Sequence, residues 1–347
     1  MAAATLKDVA ARAGVSIKTV SNVVRGAPRV SEATRERVLR AVGELGYRPN
    51  PSARRLRTGR SGLIGLSVPD LAIPYFAELA QHVRAEAAGL GLTVLIEETQ
   101  GDAAEELRLT TGVGAALLDG VILSPLHVPL DDLASVADAF PLVLLGERSY
   151  GRDQVTADHV LIDNVAAARD VTAHLAGSGR TRIAAVGVKT PSAATSRQRL
   201  EGFQRALHEA GLTFDPRLAP PVKEFDRRSG LLAMRALLAL PADARPDAVF
   251  CFSDLLAVGA VRALHEAGVG IPSDVAVASI DGSEEALYST PSLTSVIPDK
   301  AAIAALAVKS LAARIGSAQP LPFEVHLAPH RLVVRESTDG VRRRLEV

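Results

Sequence analysis

The sequence predicts an α/β protein. A small three-helix head built around a helix-turn-helix precedes a two-lobed core of parallel sheets flanked by helices. Three observations predict this. Residues 6–25 read as two short helices joined at a glycine. From residue 62 onward, short apolar runs alternate with helical patterns. The charge is also divided: thirteen of the 39 Lys/Arg and four of the 39 Asp/Glu fall in residues 1–60, leaving 26 basic and 35 acidic residues in the rest. A chain neutral as a whole therefore carries a basic head (+9) on an acidic body (−9), the asymmetry expected of a module that meets nucleic acid.

In the head, Leu6, Val9, Ala10 and Ala13 recur at helical spacing and form one apolar face. Gly14 stands where a helix end needs a residue that tolerates positive φ. Val15 is a buried turn position, and Ser16 is an N-cap for a second helix over 17–24. On that helix Val20, Val23 and Val24 face inward. Ile17, Lys18, Thr19, Ser21 and Asn22 face outward, as on a recognition helix laid in the DNA major groove. Ser31 then caps a third helix toward Tyr47, with Val38, Val42 and Leu45 as its buried stripe and Leu39 beside them. Three helices make a very small core, so the head is expected to be only marginally stable alone.

Between Arg48 and Arg60, two prolines and a glycine bracket about seven residues able to form one or two helical turns. Five arginines surround a single leucine, Leu56. So short a helix folds only against a partner such as DNA or a second copy of the chain.

The core should hold strands at 63–68, 93–96, 120–123, 142–145, 160–162, 183–186, 248–252 and 275–280. Helices are expected at 75–90, 103–118, 131–139, 166–176, 196–210, 228–240, 255–267 and 300–315. Apolar strands alternating with helices imply parallel sheets covered on both faces. Two similar halves imply a ligand cleft at the strand C-termini between them.

The composition narrows the function classes. Apolar residues are 48 % of the chain and aromatics 3 %, with no Trp, so the core is aliphatic. Cys251 is the single cysteine and lies in the apolar run AVFCF, where a buried structural thiol is expected. The eight histidines are scattered without metal-ligand spacing, and no metal or cofactor is expected. Gly112-x-Gly114 lacks the third glycine of a phosphate loop, and no G-x-S-x-G turn occurs; an enzyme is not the expectation. No apolar stretch reaches the ~18 residues of a membrane span, and the N-terminus does not read as a signal peptide. A cytoplasmic protein, nucleoid-associated when on DNA, is expected, and a solute-binding protein for transport is disfavoured.

The stretches TLKDVAARAGVS, TVSNVV, RVSEATRERVLRAVGELGYRPN and ARRL resemble the head of the lactose-repressor (LacI/GalR) family of bacterial transcription regulators. PYFAEL, LIDN, RLEGF, SDLLAVGA, SIDGSE and LTSV follow in the family's order, so the resemblance covers nearly the whole chain. It implies a type I periplasmic-binding-protein-like core. It also implies a head over 1–48, a hinge helix and linker over 49–60, and a core over 61–340. The first lobe would take about 61–160 and 296–320, and the second about 161–295 and 321–340.

The resemblance also assigns roles. Ile17, Lys18 and Asn22 stand at base-reading positions. Lys18 suits guanine O6/N7, Asn22 suits adenine N6/N7, and Ile17 suits a thymine methyl. Thr5, Thr19 and Ser21 suit phosphates, and Ser16 at the cap belongs with them. Asn50, Ala53, Arg54 and Leu56 match the hinge, whose leucine wedges between base pairs in the minor groove. A homodimer on a near-palindromic, double-stranded operator is implied, with no membrane partner, and the short tail without heptads argues for a dimer. The implied small-molecule effector site, for a sugar or related metabolite, comprises Tyr75, Phe76, Arg148, Thr195, Arg199, Phe225, Ser253, Asp254 and Asp281. Three positions depart from the family: Ser253 for the usual Asn, Pro298 for a frequent Gln and Glu147 for the usual Asp. The loss of two amides points to an atypical sugar, a non-sugar effector or a lost site.

Overall fold

In the computed structural model, which describes residues 4–24, 30–47, 60–146, 156–189 and 194–340, Thr5 sets the first helix, α1 (Leu6–Ala13). Its Oγ accepts the Asp8 N–H at 3.4 Å, and the Asp8 carboxylate accepts the Thr5 N–H at 2.9 Å and its hydroxyl at 2.7 Å. This is a capping box with Asp in its third position. These bonds hold the Asp8 carboxyl below its ordinary range. Gly14 closes the helix at φ +65°, a conformation that costs an L-residue strain. Ser16 Oγ then accepts the Thr19 N–H at 3.1 Å and starts α2 (Ile17–Val24).

The third helix, α3 (Glu32–Glu44), completes a core of Val9, Ala10, Ala13, Val20, Val23, Val38, Ala41 and Tyr47. Arg12 Nη2 meets Glu44 Oε2 at 2.7 Å and ties α1 to α3. Two expectations are corrected here. Leu45 is exposed (37 %) and Val42 only half-buried. The helix ends at Glu44, Gly46 turns at φ +57°, and the Tyr47 N–H returns to the Val42 carbonyl at 3.0 Å. That turn swings Tyr47 into the place expected for Leu45. Ser31 makes no side-chain bond to the α3 backbone; its hydroxyl donates to Thr34 Oγ1 at 2.9 Å.

The chain divides into two compact units, 1–61 and 62–347. The second contains two sheets. The first sheet runs β10-β5-β4-β3-β1-β2, from β1 (Leu63–Val68), β2 (Thr93–Glu98), β3 (Gly120–Leu123), β4 (Leu142–Leu145), β5 (Asp158–Ile162) and β10 (Val325–Ala328). The second runs β11-β9-β8-β7-β6, from β6 (Ile183–Val186), β7 (Ala248–Cys251), β8 (Ala276–Ile280), β9 (Thr294–Pro298) and β11 (His330–Val333). All pairings are parallel except β11 with β9, which is antiparallel. The expectation of wholly parallel sheets therefore fails at one edge.

Helices cover both faces, as buried parallel strands require. On the first sheet, α4 (Pro74–Gly89) and α13 (Lys300–Gly316) bury Leu79, Val83, Ile303, Val308 and Leu311 against Ile64 and Leu66. The other face meets α5 (Ala103–Arg108), α6 (Gly112–Leu117) and α7 (Leu130–Ala139) around Val121, Leu123 and Leu133. The expected single helix at 103–118 is broken because the Thr110 and Thr111 hydroxyls both donate to the Leu107 carbonyl, at 2.7 and 3.2 Å, displacing the helical ladder. The second sheet packs against α8 (Asn164–Gly177), α9 (Ala194–Glu209), α10 (Arg227–Leu238) and α11 (Asp254–Glu266). Cys251 is buried there, as expected, and burial pushes its thiol pKa up. Short helices α12 (Glu284–Tyr288) and α14 (Glu336–Asp339) finish the second lobe.

The lobe boundaries also need correction. Strand β9 pairs with β8, so the second lobe reaches Pro298 rather than 295. Strand β10 pairs with β5, so 325–328 belongs to the first lobe, and only β11 returns to the second. The chain thus crosses between lobes after Ile162, after Pro298 and after Ala328. Strand β10 leaves Val325 and Leu327 exposed at 49 % and 62 %, and an edge strand so exposed has no clear burial period to read.

Candidate functional site

On the head, Ile17 is 49 % exposed and Lys18 is exposed at the N-terminal end of α2. Thr19, Ser21 and Asn22 are half-buried on the same helix. Thr19 Oγ1 lies 2.9 Å from Ser16 Oγ, so these two hydroxyls form one polar step at the helix start. Thr5 is engaged in its capping box and remains exposed. An exposed apolar side chain beside an exposed cation, presented on a capped helix, is the surface that can enter a groove and read base edges. Asn50, Ala53, Arg54 and Leu56 lie outside the described residues.

In the core, Asp281, expected at the effector site, lies past the C-terminal end of a parallel strand together with two residues not expected there, Asn164 and Phe252. Asn164 follows β5, Phe252 follows β7 and Asp281 follows β8. Arg199 of α9 joins them. Its Nε donates to Asn164 Oδ1 at 2.7 Å, its Nη1 donates to the Phe252 carbonyl, and Nη1 lies 3.9 Å from Asp281 Oδ1. Arg199 is 6 % exposed and Asn164 is 1 %. The Asn164 Nδ2 donor has no hydrogen-bond partner among the described residues. Burial raises the Asp281 carboxyl to about 7, helped by neighbouring Asp254 and opposed by Arg199 and Lys300. The carboxyl can therefore accept or donate a hydrogen bond near neutral pH, which suits a ligand hydroxyl.

Asp254 is a different kind of residue. It is 1 % exposed. Its Oδ1 accepts the Ser279 and Ser295 hydroxyls at 2.6 and 2.9 Å, and its Oδ2 accepts the Ser283 N–H and hydroxyl at 2.6 and 2.8 Å. Four donors occupy both oxygens, so Asp254 knits β8, β9 and the start of α12 together and has no oxygen free for a ligand. Its backbone N–H reaches Asp281 Oδ2 at 3.3 Å. Ser253 has a capping role: its Oγ accepts the Leu256 N–H at 3.3 Å and caps α11.

Tyr75 and Phe76 are half-buried and meet edge to face, ring centres 5.2 Å apart. The Lys300 ammonium lies 5.6 Å from the Tyr75 ring centre. Phe225 is half-buried with the Lys189 ammonium 5.5 Å from its ring centre. Thr195 is half-buried at the start of α9. Arg148 and Glu147 lie outside the described residues. A cavity of about 740 Å³ has Glu78, Gly282, Ser283, Glu284, Pro298 and Lys300 in its wall. It therefore adjoins the expected cleft without being lined by Arg199 or Asp281.

Residues 5–50 match the model of bacterial regulatory proteins of the lacI family, and residues 172–338 match a periplasmic binding protein-like domain. The transcriptional regulator CelR of Thermobifida fusca is 36 % identical over 340 residues, covering 96 % of this chain and 98 % of CelR. The chain belongs to the LacI family. The transcriptional repressor PurR of Aliivibrio fischeri is 32 % identical over 314 residues, covering 90 % of this chain and 92 % of PurR. Among solved structures, a lac repressor dimer bound to operator and an anti-inducer superposes with a TM-score of 0.79 at 28 % identity, covering 97 % of this chain and 99 % of that one. A CelR–cellobiose complex superposes at 0.70 with 34 % identity, covering 96 % and 99 %.

As a LacI-family member, this chain is a DNA-binding transcriptional regulator with a helix-turn-helix head and a periplasmic-binding-protein-like core. No helix among the described residues is long and apolar enough to cross a membrane. Of the residues singled out from the sequence, Arg199, Asp281 and Asp254 come together, while Phe225 pairs instead with Lys189. Sequence reasoning missed Asn164, which stands in the quoted LIDN stretch, and Lys300. A lysine in the first turn of a helix reads as solvent-facing, and only the folded chain buries it.

Proposed function

We propose that this LacI-family regulator is a repressor that holds a near-palindromic operator as a homodimer, with an affinity set by a small effector. The effector, a sugar or related metabolite, would sit at the strand ends between the two lobes of the core. Its polar contacts would come from Arg199 and Asp281, with Tyr75, Phe76, Thr195 and Phe225 around it; Arg148, counted with them from the sequence, lies outside the described residues. The observation that carries the reading is the pairing of Ile17 and Lys18, both exposed at the start of a capped second helix, on a head and hinge (1–60) with a surplus of nine positive charges.

On DNA, Lys18 would take guanine O6/N7, Asn22 adenine N6/N7 and Ile17 a thymine methyl. Thr5, Ser16, Thr19 and Ser21 would meet phosphates. Asn50, Ala53, Arg54 and Leu56 would form the minor-groove hinge. The lac repressor dimer on its operator supports the dimer and operator parts of this reading, and the CelR complex with cellobiose supports the sugar. Effector binding would change the balance between lobe arrangements and so the grip of the heads.

The occupied side chain of Asp254 favours a second reading, in which the effector is not a sugar: one carboxylate counted toward the site has both oxygens already taken.

The test is binding of the purified protein to its own upstream DNA, with Leu56→Ala as control. A preference over random DNA at moderate salt, weakened in the variant, is expected. No preference would overturn the repressor reading.

A further inference from the structure

Where the chain leaves β9 for α13, a lysine is buried between the lobes. The Lys300 side chain is 6 % exposed, yet its ammonium is fully engaged. It donates to Glu78 Oε2 at 2.7 Å and to the Gly282 carbonyl at 3.2 Å. Glu78 is on α4, a helix of the first lobe, and its Oε1 accepts the Glu284 N–H at 3.4 Å. Gly282 and Glu284 belong to the second lobe. Two hydrogen bonds thus cross between the lobes, and the Lys300–Glu78 ion pair joins them into one unit. A buried ammonium needs such partners, because an unpaired charge there is strongly unfavourable.

The turn they grip is the one that carries Asp281. Asp281 has φ +131° and Gly282 φ +59°. The first value is one that L-residues rarely adopt, so the surroundings must hold it. On the second-lobe side, the Asp281 N–H donates to the Val296 carbonyl at 3.0 Å and the Gly282 N–H to Ser295 Oγ at 3.1 Å. From the first-lobe side the turn is held by Lys300 on the Gly282 carbonyl and by Glu78 one step further on.

We propose that Lys300 is a positioning residue for the effector site: with Glu78 it pins the Asp281–Gly282 turn to the first lobe, so that the presentation of the Asp281 carboxyl to Arg199 depends on how the lobes are drawn together. The proposal rests on the reading of Asp281 as an effector contact. Its mechanical content stands without any effector. A cleft residue held in a strained turn by the opposite lobe reports lobe separation directly, and a ligand that favours one separation acts on the same turn.

Hydrogen exchange on the full-length, ligand-free protein tests this, comparing wild type, K300M, E78Q and the double variant. E78Q keeps an amide oxygen as acceptor for the Lys300 ammonium, and Glu78 is 30 % exposed in its side chain, so this variant is the milder of the two and serves where K300M fails to fold. Peptides spanning 281–288 should exchange at least about tenfold faster in either single variant, while the β7 peptide stays unchanged. The double variant should add little to either single one, since both break one linked unit. In aspartate-labelled protein, the carbon signal of the Asp281 carboxyl should titrate at higher pH in K300M, because a nearby cation has gone. Unchanged exchange in E78Q, independent additive effects, or an unmoved Asp281 midpoint would each overturn the proposal. None of these outcomes bears on operator preference, so failure here is distinct from failure of the repressor reading.

Discussion

The guanidinium of Arg199, inside α9, and the carboxyl of Asp281, just past the end of β8, lie 3.9 Å apart and buried together. They are close enough to attract but not hydrogen-bonded. The Arg199 donors are directed instead to Asn164 and to the Phe252 carbonyl. A ligand hydroxyl that reached both groups would gain a charged donor and a carboxyl acceptor at once. Arg199→Met should therefore abolish effector binding in calorimetry, once an effector is found in a metabolite screen. Retained affinity within about twofold would remove Arg199 from the site.

The raised Asp281 pKa has a consequence for stability. Its unfolded carboxyl ionises near 3.8, whereas the folded one holds its proton to about 7. The folded state binds the extra proton between those values, so stability falls as pH rises from about 4 to 7. Asp281→Asn should flatten that slope and raise the denaturant midpoint at pH 7 to 8, by a free energy of a few kcal/mol at most on the order of ~1.4 per unit. Urea titrations of both proteins across this pH range measure it, and parallel pH profiles would contradict it.

Asp254 should behave as a structural residue. Asp254→Ala leaves three serine hydroxyls and one N–H without their shared acceptor. Each such loss costs about 1–3 kcal/mol when the group stays buried, so the core should melt well below wild type. Loss of effector affinity in a folded Asp254→Ala core of unchanged melting temperature would instead make it a ligand contact.

The buried pair of Asp158 and Arg314 makes a second stability prediction. Arg314 Nε and Nη2 donate to the two Asp158 oxygens at 2.6 Å each, and the guanidinium stacks 4.4 Å from the Phe323 ring centre. This pair fastens α13 to β5 beside β10. Arg314→Met strands the carboxylate and should cost about 3–5 kcal/mol. Replacing both partners with apolar residues should recover much of that, as a double-mutant cycle in denaturant would measure.

On the head, Lys18→Ala should weaken binding to the specific operator by about 1–3 kcal/mol and relax the preference for one base pair. Arg12→Ala, which removes an exposed ion pair to Glu44, should leave operator choice unchanged and lower stability by no more than about 1 kcal/mol. Competition binding against operators altered one base pair at a time would separate the two outcomes. A Lys18→Ala loss spread evenly over all sequences would make Lys18 a phosphate contact.

Much of this protein could be read from the linear chain. Helix caps, glycine turns and apolar periods are local, so Gly14 and Ser16 foretold the head, and strand–helix alternation foretold both lobes. Leu45 and Tyr47 exchanged places because a turn after the helix decided which side chain swung inward. The lobe boundaries were misread because β10 is an exposed edge strand whose position depends on pairing with β5, where Leu327 stands opposite Leu161, 166 residues earlier. The family motifs placed Asp254 and Asp281 together in one site, and the tertiary structure separated their roles. Four donors from three distant segments occupy Asp254, while desolvation and a 3.9 Å arginine leave Asp281 poised. Lys300 is the clearest case of a role decided by the fold alone. Nothing in its neighbours along the chain distinguishes it from a solvated lysine, because the glutamate and carbonyl that make its burial tolerable come from α4 and from the turn after β8. Local chemistry determined which elements form, and long-range pairing and desolvation determined which of their side chains remain available to a ligand.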